Sequence, residues 1–224
     1  HYQIQSLPIN SGVFCLKKDR FQDVVWIGTD GQGVYLYSNP LYSIKSMVLS
    51  NYTEKIERPV RAIYLDDERT FWVGTKGNGI LKIYDYEFDK NISDCRAEVL
   101  TTSNSALSSN AVYCFAKSHR NLLWIGDEEG LTYYSYREKR IKSIPIRIGN
   151  EDFKYIHDIY ETADSELWLA SVGMGVVKAR IAGTSDNPVI VDAQRYIIND
   201  GELGSNYFFT IYAENEANLL FGNK

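Results

Sequence analysis

Val25-Trp26-Ile27-Gly28-Thr29, Phe71-Trp72-Val73-Gly74-Thr75, Leu123-Trp124-Ile125-Gly126-Asp127 and Leu167-Trp168-Leu169-Ala170-Ser171 are four copies of one segment. Their tryptophans stand 46, 52 and 44 residues apart, and they are all the tryptophans of the 224-residue chain. A fifth copy, Leu219-Leu220-Phe221-Gly222, follows 52 residues later with Leu220 in the tryptophan place. Self-similarity at a period of 40–50 residues is the mark of a repeat architecture.

The flanks repeat with it. An apolar run precedes each copy: Val13-Phe14-Cys15-Leu16, Val60-Arg61-Ala62-Ile63, Val112-Tyr113-Cys114-Phe115, Ile156-His157-Asp158-Ile159 and Phe208-Phe209-Thr210-Ile211. A polar stretch such as Asp66-Asp67-Glu68-Arg69 separates run from tryptophan. A glycine turn follows each of the four tryptophan copies: Asp30-Gly31-Gln32-Gly33, Lys76-Gly77-Asn78-Gly79, Glu128-Glu129-Gly130 and Val172-Gly173-Met174-Gly175. A further alternating run, such as Val34-Tyr35-Leu36-Tyr37, comes next. Each unit therefore reads strand, polar turn, strand, glycine turn, strand, because glycine supplies the positive φ of tight hairpins and the runs are rich in strand formers. Ile44-Lys45-Ser46-Met47-Val48-Leu49 and Ile141-Lys142-Ser143-Ile144 fit a fourth, outer strand. Four antiparallel strands per repeat is the size of a β-propeller blade. The predicted fold is all-β: a partial propeller of four complete four-stranded antiparallel blades and the start of a fifth. The approximate repeats are 11–56, 57–108, 109–152, 153–204 and 205–224, within one domain over 1–224. His1 to Leu7 reads as an outer strand. The recurring tryptophan is the side chain expected between neighbouring sheets.

The Trp-Ile-Gly-Thr copies with their glycine turns resemble the two-component regulator propeller repeat. A second signature agrees: Asn104-Ser105-Ala106-Leu107-Ser108-Ser109-Asn110 and Asn199-Asp200-Gly201-Glu202-Leu203-Gly204-Ser205-Asn206 are similar to the Gly-Leu-x-Ser-Asn stretch before the first strand of such blades. Ala170-Ser171 and the missing fifth tryptophan depart from the pattern. The resemblance implies a fragment of the periplasmic sensor domain of a Bacteroides-type hybrid two-component system. Its parent would be anchored in the inner membrane, with a histidine kinase elsewhere in the chain. The ligand the resemblance implies is an oligosaccharide from polysaccharide breakdown. A propeller scaffold for dimerisation or protein contact is the alternative, and a propeller lyase or glycosidase a more distant one.

Composition agrees with a folded globular chain. Hydrophobic residues make up 44%, charged residues 24% and aromatics 13%, ordinary globular values with an aromatic excess that suits strands. Net charge is −5, without a Lys/Arg run to track a phosphate backbone, so no nucleic-acid partner is expected. No apolar stretch is long enough to span a bilayer, so this segment is expected to make no membrane contact. Cys15, Cys95 and Cys114 form no CxxC, and Cys15 and Cys114 sit in matching apolar runs, read as small buried side chains with a bridge between them as the alternative. No catalytic motif, cofactor or metal site is expected. His119 reads as a turn residue, and Asp66-Asp67-Glu68 as a solvated hairpin tip. Propellers bind at the axial channel and its mouth. The residues two before each first strand, Ser11, Arg58, Asn110, Lys154 and Asn206, form a polar ring there. Arg58, Asn110, Lys154, Asn206 and His157 are the candidate ligand contacts, able to take a sugar hydroxyl, a uronate or a sulfate. Asn110 and Asn206 read equally as turn residues, and Tyr113, Tyr155 and Tyr207 as stacking or packing groups. The structural repeat itself is Trp26, Trp72, Trp124, Trp168, Gly28, Gly74 and Gly126. Self-association is expected, because an incomplete array leaves apolar sheet faces and strand edges uncovered.

Overall fold

The computed structural model describes residues 6–38, 43–47, 57–86, 95–198, 204–215 and 218–223, and no α-helix occurs among them. The first sheet holds β1 (Val13–Lys18), β2 (Val24–Thr29), β3 (Val34–Ser38) and β4 (Ser43–Met47). The second holds β5 (Val60–Leu65), β6 (Phe71–Thr75), β7 (Ile80–Ile83) and β8 (Ala97–Leu100). The third holds β9 (Val112–Lys117), β10 (Leu122–Asp127), β11 (Leu131–Ser135) and β12 (Arg140–Ser143). A small hairpin of β13 (Arg147–Ile148) and β14 (Glu151–Asp152) follows. The fourth sheet holds β15 (Ile156–Glu161), β16 (Glu166–Ser171), β17 (Gly175–Thr184) and β18 (Asn187–Tyr196). A fifth sheet is the pair β19 (Phe208–Asn215) and β20 (Asn218–Asn223). Strands pair in chain order, all antiparallel, which is the meander of a propeller blade. The first outer-strand run falls at β4 and the other at β12; the outer strand read at the N-terminus falls mostly outside the described residues.

The first strand of each blade forms the inner edge. β1 packs against β5, β5 against β9, β9 against β15 and β15 against β19. No comparable contact joins β19 back to β1.

The core lies in the seams between blades. Trp26, Val34 and Leu36 of the first blade pack on Val60, Phe71 and Leu81 of the second. Trp72 and Ile80 then meet Val112, Leu123 and Tyr134. Trp124 and Tyr133 meet Ile156, Leu167 and Val177. The last seam is thinner: Ala170 and Val176 meet Phe208, with Trp168 only half-buried. A blade has two faces and too few residues to cover either, so stacking is the way it removes them from water.

Each buried indole N–H finds a carboxylate. Asp19 accepts from Trp26 and Asp66 from Trp72, both at 2.9 Å and both from the turn of the same blade. The corresponding turn position of the third blade is Ser118, and there Glu161 of the fourth blade accepts from Trp124 at 2.7 Å. The glycine two residues after each of the first three tryptophans is set by close approach rather than by φ. A Cβ on Gly28 would lie 2.5 Å from Cys15 Sγ and 2.8 Å from Val60; on Gly126 it would lie 2.5 Å from Cys114 Sγ and 2.8 Å from Ile156 O. Cys15 and Cys114 are free thiols, Cys114 buried and Cys15 half-buried, and Cys95 is buried.

Candidate functional site at the channel mouth

Because strands alternate in direction, the glycine turns and the residues entering each first strand lie at the same end of every blade. In a propeller that end of the blades is one mouth of the axial channel. Every first strand is irregular at its second residue. The pairing skips from Val13 to Cys15, from Val60 to Ala62, from Val112 to Cys114, from Ile156 to Asp158 and from Phe208 to Thr210. Five β-bulges therefore fall at one repeat position, and each frees one residue from the ladder: Phe14, Arg61, Tyr113, His157 and Phe209. A bulge re-aims a side chain and is common at barrel rims and beside binding sites.

The freed side chains meet one another from blade to blade. The Arg61 guanidinium lies 3.6 Å over the Phe14 ring. Tyr113 and His157 stack, with centroids 4.2 Å apart and planes at 15°. Phe209 sits edge-on to His157 at 5.4 Å. The result is an aromatic and cationic belt around the inner edge. His157 is held neutral: burial first, then the charges of Arg61 and Lys76, push its pKa down to about 4. Burial, reinforced by Glu128, raises the Tyr113 phenol.

The polar ring of the entering residues is placed at the same mouth, with most of its side chains tied to the scaffold. Ser11 Oγ donates to the Asp30 carbonyl at 2.8 Å. Asn110 Oδ1 accepts from Thr102 N–H at 2.9 Å, and its carbonyl accepts from Gly77 and Gly79 N–H. Asn206 repeats the pattern, accepting from Ile198 N–H at 2.8 Å and, through its carbonyl, from Gly173 and Gly175. Lys154 pairs with Glu129. Arg58 is exposed and pairs with no carboxylate among the described residues. Tyr155 and Tyr207, at 41% and 56% exposure, stand open to solvent beside the belt.

The other end of the blades carries ion pairs between neighbouring turns. Asp67 bridges Arg20 of the first blade at 2.6 Å and Lys117 of the third at 2.7 Å. Asp66 accepts from Glu68 and Thr70 N–H and from Trp72. His119 lies exposed in its turn. No group of three or more metal-ligating side chains occurs among the described residues. A cavity of about 1020 Å³ lies on the outer rim, between the loop after β8, β12 and the long β17–β18 hairpin, away from the belt.

The planar residues of this column were open to sequence reasoning, whereas the bulges that align them were not. The second residue of each apolar run is a large planar group in all five repeats, at a place where an inner-edge strand has little to pack against. His157 and Tyr113 were legible singly; the missing signal was that all five share a register.

No protein-family model matches the chain. Translation initiation factor 6 of Saccharolobus solfataricus is 31% identical over 140 residues, 57% of this chain and 57% of that protein. Among solved structures, the chain is similar to the extracellular domain of the hybrid two component system BT3049 from B. thetaiotaomicron, with TM-score 0.72 and 23% identity over 98% of this chain and 27% of that one. It is similar to PorZ, a surface component of the type-IX secretion system of Porphyromonas gingivalis, with TM-score 0.69 and 14% identity over 94% of this chain and 31% of PorZ. It is also similar to the Cps50 (Swd1) β-propeller domain of Myceliophteria thermophila, with TM-score 0.55 and 13% identity over 84% of this chain and 61% of that domain. The chain thus spans under a third of the two bacterial proteins. Its fold is a β-propeller fold, shared with the extracellular domain of a Bacteroides hybrid two-component system.

Proposed function

We propose that this chain is a ligand-sensing, extracytoplasmic segment of a hybrid two-component sensor histidine kinase, and that its ligand is an oligosaccharide released by polysaccharide breakdown. The observation that carries the reading is the belt at the channel mouth. Five bulges place Phe14, Arg61, Tyr113, His157 and Phe209 side by side, with Tyr155 and Tyr207 exposed next to them. Flat apolar faces interleaved with a few polar donors suit a sugar, which presents apolar C–H faces and a rim of hydroxyls. The likeness to the BT3049 extracellular domain supports the sensor context and a periplasmic location within a membrane-anchored parent. A ligand lying across several first strands contacts several blades, so it favours one seam geometry over another and shifts that equilibrium.

Glycoside hydrolysis at this mouth would need a pair of free carboxylates, whereas a lyase would need a cluster of His, Tyr and Arg such as His157, Tyr113 and Arg61, so a product carrying a new C=C absorbance on incubation with a uronate polymer would favour the lyase reading. Asp158, the carboxylate of the first-strand runs, is engaged by Ile211 and Ile159 N–H and by the Thr210 hydroxyl. The chain is acidic overall and has no Lys/Arg run to track an RNA backbone, so its charge gives no support to a role in translation.

The test is titration calorimetry of the chain against a panel of neutral and acidic plant and host oligosaccharides. Binding should appear for one class and weaken at least tenfold in Tyr113→Ala and His157→Ala. A panel without a binder, or a binder indifferent to both substitutions, would count against the reading and favour a scaffold.

A further inference from the structure

Three cations gather on the mouth side of the second blade: Arg58, Arg61 and Lys76. Lys76 bridges to Ala111 of the next blade, and the Arg58 side chain runs beside Gly77. None of the three lies within pairing distance of a carboxylate among the described residues, whereas Arg20 and Lys117 at the opposite end share Asp67. Arg61 Nε is closed off from solvent and has no hydrogen-bond partner. Its guanidinium is fixed over Phe14 and acts, with Lys76, on the neighbouring His157. The acids of this rim are Asp30, Glu57 and Glu128, which flank the patch without pairing to it; Glu128 accepts from the Ser109 hydroxyl at 3.4 Å. Asp127 and Glu129 are committed, the first to Ser108 and to Glu129 and Gly130 N–H, the second to Lys154. A half-buried guanidinium without a counter-ion is costly unless an anion completes it, and its planar fork matches a carboxylate.

We propose that the channel mouth takes an acidic saccharide, its uronate carboxylate seated on Arg61 and Lys76 and its ring against Tyr113 and His157. This rests on the oligosaccharide reading above and narrows it to a charged class.

Two probes separate the anion seat from the sugar. Sodium sulfate is titrated against sodium chloride at equal ionic strength, followed by the NMR shift of the His157 ring. Trigalacturonate is compared by calorimetry with the same trimer after its carboxyls are reduced to alcohols. Sulfate should give a saturable His157 shift that chloride does not, and Arg61→Gln should abolish it. Trigalacturonate should bind at least tenfold tighter than the reduced trimer, and Arg61→Gln should shrink that preference to under twofold. Lys76→Gln, on an exposed side chain, should weaken the acid about threefold and guards against a folding defect in the Arg61 variant. Equal binding of the two trimers would overturn the acidic assignment and leave the oligosaccharide reading intact. No sulfate shift and no trimer binding would overturn it as well, and the neutral members of the wider panel would then decide the broader reading alone.

Discussion

Replacing Trp72 by alanine tests the seam between the second and third blades. The indole is fully buried, with Tyr134 edge-on at 4.8 Å and Phe115 at 6.2 Å. Its N–H bond to Asp66 leaves with it. A buried tryptophan removes about 200 Å² from water, worth about 5 kcal/mol at ~25 cal/mol per Å². Measured truncations of this kind cost about 3–5 kcal/mol. Asp66 keeps its bonds from Glu68 and Thr70 N–H and from the Tyr136 hydroxyl, so the orphaned carboxylate adds little. The loss also uncovers Lys82, whose ammonium lies 4.8 Å over the indole and donates to the Tyr134 hydroxyl at 2.7 Å. We therefore expect about 4 kcal/mol for Trp72→Ala. Trp168→Ala should cost about half as much, because Trp168 is only half-buried against Tyr196 and Phe221. Urea unfolding followed by both circular dichroism and fluorescence gives the two values and shows whether the array melts in one step. A cost under about 1 kcal/mol for Trp72, or a larger cost at Trp168 than at Trp72, would refute the seam argument.

Four further outcomes follow from the same geometry. Gly126→Ala forces a Cβ against Cys114 Sγ and the Ile156 carbonyl and should lower stability by about 1–3 kcal/mol, read as a drop in Tm. Cys15, whose thiol burial pushes up to about 11, and the fully buried Cys114 should resist a thiol-reactive dye at pH 8 until the chain unfolds; rapid labelling of the native protein would contradict this. His157 is depressed to about 4 in the folded chain against 6.5 unfolded, so the unfolded chain takes up the proton first as the pH falls. Stability should be full above pH 6.5 and decline towards pH 4, by about 1–2 kcal/mol after allowance for partial exposure, and His157→Gln should flatten that slope; an unchanged slope refutes the assignment. Val13 and Leu16 on β1, and Tyr212 and Leu220 on the last sheet, are 49–66% exposed, so light scattering should find species larger than the 25.6 kDa monomer, and a clean monomer at high concentration would show that these faces do not associate.

The blade order was legible because tryptophan, glycine and strand formers recur in phase, and each has one physical job. Tryptophan fills a seam, glycine admits the neighbouring blade, and alternation sets the faces. The β13–β14 hairpin and the ten-residue arms of β17 and β18 were not legible, because they occur once and no second copy marks them. The binding candidates divide the same way. Asn110 and Asn206 stood out through their shared spacing, which reflects a shared backbone job: both carbonyls receive the glycine turn of the preceding blade. The bulges were hidden because a skipped residue leaves no trace in an alternating run until its partner strand is known. Arg61 among four aromatic residues looked like an exception in sequence and becomes, once the strands are paired, a member of one belt.

The exchange of tryptophan partners between blades has a mechanical consequence. In the first two blades the indole is anchored to its own turn, so each of those sheets can tilt as a body while keeping its internal bond. In the third blade the anchor is Glu161 of the fourth, which also lies 3.8 Å from Arg120 and accepts from His119 N–H. Tilting the third blade away from the fourth would tear a buried charge from its donors. The third and fourth blades are therefore tied through a buried carboxylate, where the corresponding bond in the first two blades stays within one sheet. The belt at the mouth crosses that tie, with Tyr113 of the third blade stacked on His157 of the fourth.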